Sequence, residues 1–79
     1  EVVLTTGQLE LLWLLARNLG RVVGREQYYT EVRGIAYDGV DRSYDNRISD
    51  LRSRLAEAGL PGDCIVTVWG EGYLLRPES

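Results

Sequence analysis

Apolar positions crowd the first quarter of the chain with little polar relief. Leu9, Leu12, Ala16 and Leu19 fall on one side of a helix, and Leu11, Trp13, Leu14 and Leu15 widen that side. The spacing predicts a helix at the centre of the core, with Trp13 a core or half-buried aromatic. Thr5-x-x-Gln8 just before this run has the form of a capping box, Glu1 to Leu4 reads as a short lead-in, and Gly20 is the expected stop. A second, shorter helical pattern runs from Arg25 to Val32, with Tyr28 and Val32 on one face at i, i+4 and Gly34 ending it. From Gly34 to Val40 no helical period survives, and Asp38-Gly39 signals a turn in a connecting loop.

The third pattern is the cleanest. Tyr44, Ile48, Leu51, Leu55 and Ala58 form a single stripe, Asp41 is the expected N-cap, and Gly59 is the stop. Arg42, Asn46, Ser49 and Ser53 lie opposite that stripe, with Asp50 and Glu57 at the margin of this opposite side, and Arg47, Arg52 and Arg54 flank the core stripe. After a turn at Leu60-Pro61-Gly62-Asp63, Cys64–Val68 is rich in β-formers, Trp69-Gly70-Glu71-Gly72 is a glycine-punctuated turn, and Tyr73-Leu74-Leu75 returns as the second strand of a hairpin. Arg76–Ser79 reads as a frayed end. The prediction is an α+β, mainly α chain of three helices followed by a C-terminal β-hairpin, with Tyr28, Tyr44 and Tyr73 in its core.

At 79 residues there is room for one small core, so residues 1–79 are read as one domain. A 44% share of hydrophobic residues against 27% charged is globular composition. A single cysteine, Cys64, excludes an internal disulfide and reads as a small strand hydrophobe. The absence of histidine removes the usual zinc and general-base constellations, and no paired carboxylates stand out, so neither an enzyme nor a metal or cofactor site is expected. The longest apolar run, Leu11–Ala16, is too short for a membrane span and no signal-peptide layout opens the chain, which predicts a cytosolic protein without membrane contact.

Net charge is -3, which argues mildly against a polyanionic partner. Its distribution matters more. Between Arg42 and Arg54 stand four arginines and two aspartates, a local balance of +2 that leaves -5 for the rest. Every cation is an arginine, the side chain best shaped for bidentate contact with phosphate or guanine. Arg42 at a helix start opposes the helix dipole, which points weakly to an external anion. Helices that expose one side of the last helix, followed by a hairpin with a protruding tip, suit duplex DNA: a helix fits the major groove and a narrow loop reaches the minor groove beside it. The bland alternatives are a solvated Arg47 paired with Asp50, a merely solvated Asn46, and glycines Gly70 and Gly72 that only supply turn dihedrals.

Four motifs in order, Leu4-Thr5-x-x-Gln8-Leu9-x-Leu11-Leu12, Gly20-Arg21-Val22-Val23-x-Arg25-Glu26, Asp41-Arg42-Ser43-x-Asp45-x-Arg47-Ile48-Ser49-x-Leu51-Arg52-x-Arg54-Leu55 and Thr67-Val68-x-Gly70-x-Gly72-Tyr73, closely resemble the OmpR/PhoB-type effector domain of bacterial response regulators. Val32-Arg33-Gly34-Ile35-x-Tyr37-Asp38-Gly39 further resembles its RstA-like branch. The resemblance implies a winged helix-turn-helix and a transcription factor that binds tandem promoter half-sites as a dimer once an attached receiver domain is phosphorylated. It places the third helix in the major groove, the wing at the minor groove, and the loop at 34–41 within reach of RNA polymerase. Carried across by position, Arg42, Ser43, Asn46, Arg47, Ser49, Asp50 and Arg52 face groove or phosphate, Thr67 a phosphate, Trp69 stands at the wing tip, and Arg33 at a backbone-contacting place.

Three departures accompany the match. The chain is expected to lack the family's N-terminal β-sheet and its receiver domain. Trp69 replaces the usual wing arginine with an uncharged indole, and Asp50 puts an acid where a basic or amide residue is common, to be neutralised by Arg47 or Arg54. These departures, with the acidic balance, define a rival reading: a winged-helix protein-interaction module with weak or no specific DNA binding.

Overall fold

Thr5 and Gln8 close the capping box that their spacing predicts. The Gln8 backbone N–H donates to Thr5 Oγ1 at 3.2 Å, and the Thr5 N–H to Gln8 Oε1 at 2.9 Å. In the computed structural model, which describes residues 3–35, 39, 42–60 and 63–77, helix α1 (Thr6–Arg17) follows this cap. The chain then turns through Gly20 at φ 78°, Val23 makes an isolated bridge, and α2 (Arg25–Tyr28) runs directly into one π-helical turn (Tyr29–Arg33) that ends at left-handed Gly34. Helix α3 (Ser43–Glu57) and the antiparallel strands β1 (Ile65–Val68) and β2 (Gly72–Leu75) complete the order of three helices and a hairpin. Register pairs Ile65 with Leu75 and Val68 with Gly72.

The stripe on α3 is buried as expected at Tyr44, Ile48, Leu51 and Leu55, whereas Ala58 lies past the helix end and is exposed. On α1 the buried face is different from the one predicted. Leu11, Leu14 and Leu15 are fully buried and Gln8 is nearly so, while Leu9, Trp13 and Ala16 point to solvent, Trp13 with 64% of its surface exposed. Leu19 is also half exposed, beyond the helix. At 100° per residue, positions 9, 13 and 16 cluster opposite 8, 11, 14 and 15. Gln8, held by the capping box, marks the face that turns inward. A sequence apolar on nearly every side cannot reveal which face is buried.

The second helix is also less regular than its pattern predicts. Tyr28 and Tyr29 are consecutive and both fully buried, and the turn that carries them widens to π geometry. Val32 is only half-buried. The Asp41 cap, Asp38 of the predicted turn, Pro61-Gly62 and the end at Glu78-Ser79 lie outside the described residues. The N-cap position of α3 is held by Arg42, with no side-chain capping bond. Arg76, expected to fray, donates its backbone N–H to the Cys64 carbonyl at 2.8 Å and pairs with Asp63. Cys64 packs half-buried against the core just before β1.

Four tyrosines join the parts. Tyr28 stacks on Tyr44 with ring centroids 4.6 Å apart and planes 10° from parallel, while Tyr29 meets Tyr28, and Tyr73 meets Tyr44, edge to face at 5.1 Å. The Tyr44 hydroxyl donates to the Val23 carbonyl at 2.7 Å, and the Val23 backbone exchanges two hydrogen bonds with Tyr73. Gly72 permits this approach, since a Cβ there would overlap the Val23 carbonyl and lie 3.0 Å from Gly24 Cα. The buried Tyr28 hydroxyl has no hydrogen-bond partner. No helix among the described residues is long and apolar enough to cross a membrane.

Thermal melts followed by far-ultraviolet dichroism should therefore separate two conservative variants. Tyr28→Phe is expected to leave stability unchanged or raise it by up to about 1 kcal/mol, and Tyr44→Phe to lower it by about 1 kcal/mol. Gly72→Ala, which meets backbone rather than a movable side chain, should cost more than about 2 kcal/mol. Burial raises the Tyr44 phenol above its usual value, as it does that of Tyr73, where the hydrogen bond to Asp45 adds to the shift. Their neutral forms therefore favour the folded state. Stability from these groups is present in full below the ordinary phenol value of about 10 and is lost as pH rises towards their raised folded values. A pH series of melts should be flat in this respect through neutrality and fall above roughly pH 10.

Candidate nucleic-acid interface

Helix α3 presents its polar side outward because the opposite side is fixed by Tyr44, Ile48, Leu51 and Leu55 in the core. Arg42, Asn46, Ser49, Asp50 and Ser53 are exposed along that side, with Ser43 and Arg47 half-buried at its edge. Arg42 sits at the N-cap, where the helix dipole disfavours a cation, and no carboxylate among the described residues pairs with it.

Arg47 does not pair with Asp50. Its guanidinium crosses to the first turn of α1 and lies over Gly7, where a Cβ would overlap Nη1 and come within 2.7 Å of Cζ. That resting place is near a helix N-terminus, which holds a cation poorly. Arg54 pairs with Glu57 at 3.5 Å. The expected neutralisation of Asp50 by Arg47 or Arg54 is thus absent, and Asp50 stands on a shallow polar groove with Gln8, Ser53, Arg54 and Glu57.

Trp69, in the hairpin turn, is 88% exposed, followed by Gly70 at φ 79°. Arg33 is exposed in the last turn of the π segment, away from the polar row of α3 in sequence. Arg52 and Thr67 are brought together: Arg52 Nη2 donates to Thr67 Oγ1 at 2.8 Å and to the Ile65 carbonyl at 2.7 Å. Both are half-buried, so part of the donor set predicted to face phosphate holds the hairpin to α3.

Sequence reasoning missed Asp45, Arg25 and the polar end of Tyr73. Asp45 Oδ1 accepts from Arg25 Nη2 at 2.6 Å and from the Tyr73 hydroxyl at 2.5 Å. The one available signal was that Asp45 and Arg52 lie seven residues apart, on one face of α3. Nothing local connects Asp45 to Arg25 or Tyr73. The resulting surface is a row of hydrogen-bonding groups and guanidinium cations on one exposed helix face, beside a hairpin whose tip carries an indole. This arrangement can donate to phosphate oxygens and present donors and acceptors to base edges.

Comparison with known proteins agrees with that geometry. Residues 1–75 match the family described as transcriptional regulatory protein, C terminal. The chain is 40% identical to the transcriptional regulatory protein RstA of Escherichia coli K12 over 79 residues, 100% of this chain and 33% of that protein. It is 40% identical to CpxR of the same strain over 76 residues, 96% of this chain and 33% of that protein. It spans about one third of the length of these curated relatives. The crystal structure of the Klebsiella pneumoniae RstA DNA-binding domain in complex with the RstA box aligns with a TM-score of 0.87 at 41% identity, covering 98% of this chain and 76% of that one. The DNA-binding domain of E. coli CpxR aligns with a TM-score of 0.83 at 38% identity, covering 99% and 76%. The chain belongs to the family of transcriptional regulatory C-terminal domains, the OmpR/PhoB-type effector domains with a winged-helix fold that its motifs resemble.

Proposed function

We propose that this chain binds double-stranded promoter DNA sequence-specifically and serves as the effector domain of a two-component response regulator that controls transcription. The observation that carries the reading is the exposed polar row of α3, with Arg42 at a helix start and without a carboxylate partner among the described residues. The likeness to an RstA domain crystallised on the RstA box supports it. Arg42 and Arg33 serve as phosphate anchors, Asn46 and Arg47 as groove-facing readers, and Ser43 and Ser49 as short donors along the same side. Arg47 leaves its place over Gly7 when a phosphate or guanine offers it a better partner. Thr67 and Arg52 reach the backbone from the junction between helix and hairpin. Trp69 stacks on sugar edges at the wing tip, and Asp50 lowers affinity.

The longer protein would carry a receiver domain and the family's N-terminal β-sheet in addition to residues 1–79. It would bind tandem half-sites as a dimer in the cytoplasm, with the loop at 34–41 available to RNA polymerase. The second reading is a protein-interaction module. The exposed indole of Trp69 and the charge of Asp50, which has no ion-pair partner among the described residues, favour it.

Fluorescence anisotropy with an RstA-box duplex and a scrambled duplex, at several salt concentrations, distinguishes the two. Specific binding with a steep negative slope of log affinity against log salt is expected. Sequence-blind or absent binding at micromolar protein would favour the interaction module. Arg47→Ala should reduce the preference for the specific duplex by about 1–3 kcal/mol, and equal losses on both duplexes would make Arg47 a phosphate contact. Arg42→Ala should weaken both duplexes alike and lower the salt slope by about one.

A further inference from the structure

Two guanidinium groups and one carboxylate make a continuous polar path through the side of the domain where helix and hairpin meet. It begins at the start of α2, where Arg25 Nη2 lies 2.6 Å from Asp45 Oδ1 on the first turn of α3. The same oxygen accepts the Tyr73 hydroxyl of β2 at 2.5 Å. Above the Tyr73 ring, 5.5 Å from its centroid, lies the guanidinium carbon of Arg52, two turns further along α3. Arg52 then donates to the Ile65 carbonyl and to Thr67 Oγ1 of β1. Helix α3 thus grips the hairpin at two heights, one strand at each.

We propose that Asp45, Tyr73 and Arg52 act as positioning residues, a bracket that holds the hairpin at one fixed offset from α3 so that both meet a duplex in a single geometry. This rests on the DNA-binding reading. Two strands of four residues are marginal as a free hairpin, and their backbone is tethered to the helical part at two places on β2, the bridge between Val23 and Tyr73 and the Gly20 N–H that donates to the Leu75 carbonyl at 3.0 Å. A hairpin attached through β2 alone could swing β1 and the tip about that strand. The bracket opposes this with charge-assisted bonds in a partly covered setting: the Arg25 and Asp45 side chains are 32% and 22% exposed. A wing already in place has less motion to lose on binding, which favours the site that fits both elements over one that fits the helix alone.

Tyr73→Phe tests the bracket, because it removes the bond to Asp45 while keeping the ring and every charge. The probe is a duplex selected from a randomised library by the wild-type chain, at a temperature where dichroism shows both proteins folded. Affinity of the variant should fall roughly tenfold or more, the scale of one hydrogen bond to a charged acceptor. The salt slope should not change, since no cation is lost. Hydroxyl-radical footprints should keep protection over the base pairs under the helix and lose it in the flanking minor groove. Equal affinity with an unchanged footprint overturns the proposal.

Amide hydrogen exchange in the unbound protein provides a second reading. Exchange at Val66 and Leu74, which face each other across the hairpin, should quicken about tenfold in Tyr73→Phe, as for the loss of about 1.4 kcal/mol of local protection, and in Asp45→Asn, which keeps the side-chain shape should the first variant be unstable. Unchanged exchange in a folded variant overturns the bracket. A wild-type chain that enriches no duplex overturns the DNA-binding reading instead, and the exchange rates then decide the bracket alone.

Discussion

A phenol ring can be buried cheaply only if its hydroxyl finds a hydrogen-bond partner, and among the described residues this small core buries four. The requirement shapes the domain. Tyr44 takes the Val23 carbonyl, Tyr73 takes the Asp45 carboxylate, and the Tyr29 oxygen accepts from the Tyr44 backbone at 3.4 Å. Each bond joins parts of the chain that are distant in sequence, so satisfying the hydroxyls also sets where α3 lies against the α2 region and against the hairpin. Tyr28 is the exception, its hydroxyl unsatisfied while its ring stacks on Tyr44 and meets Tyr29 edge to face.

That packing leaves α3 with two very different sides. The inner one is committed to Tyr44, Ile48, Leu51 and Leu55, and the polar row is turned outward with nothing folded over it among the described residues. The arginines of the segment divide into two kinds of work. Arg52 and Arg54 have partners within the protein, whereas among the described residues Arg42 and Arg47 have no acid to neutralise them. A chain with a net negative charge can still offer cations at this one face, because its surplus of acid lies elsewhere in the sequence.

Local features were legible in the sequence. The capping box at Thr5 and Gln8, the single stripe on α3, and the hairpin around Trp69-Gly70-Glu71-Gly72 rest on contacts between near neighbours, and each forms as its spacing predicts. The outward set on α3 followed from the stripe alone. What was not legible depends on tertiary contact. The inner face of α1 is selected by what packs on it, and Trp13 consequently lies outside. The bonds of Arg52 to the hairpin go to a strand 13 and 15 residues further on, and nothing near Arg52 in the sequence announces them. Arg25 and Asp45, 20 residues apart, carry no pattern that announces their pairing.

Both indoles of the chain are in water in the native state, one on the outer side of α1 and the other at the hairpin tip. Indole emission moves to the red when a ring leaves an apolar interior, and neither Trp13 nor Trp69 has such an interior to leave. With 64% of Trp13 and 88% of Trp69 already exposed, the red shift of tryptophan emission on unfolding of this domain is small. The native optical reporter is the tyrosine cluster, whose asymmetric stacking generates near-ultraviolet dichroism that disappears when the rings separate.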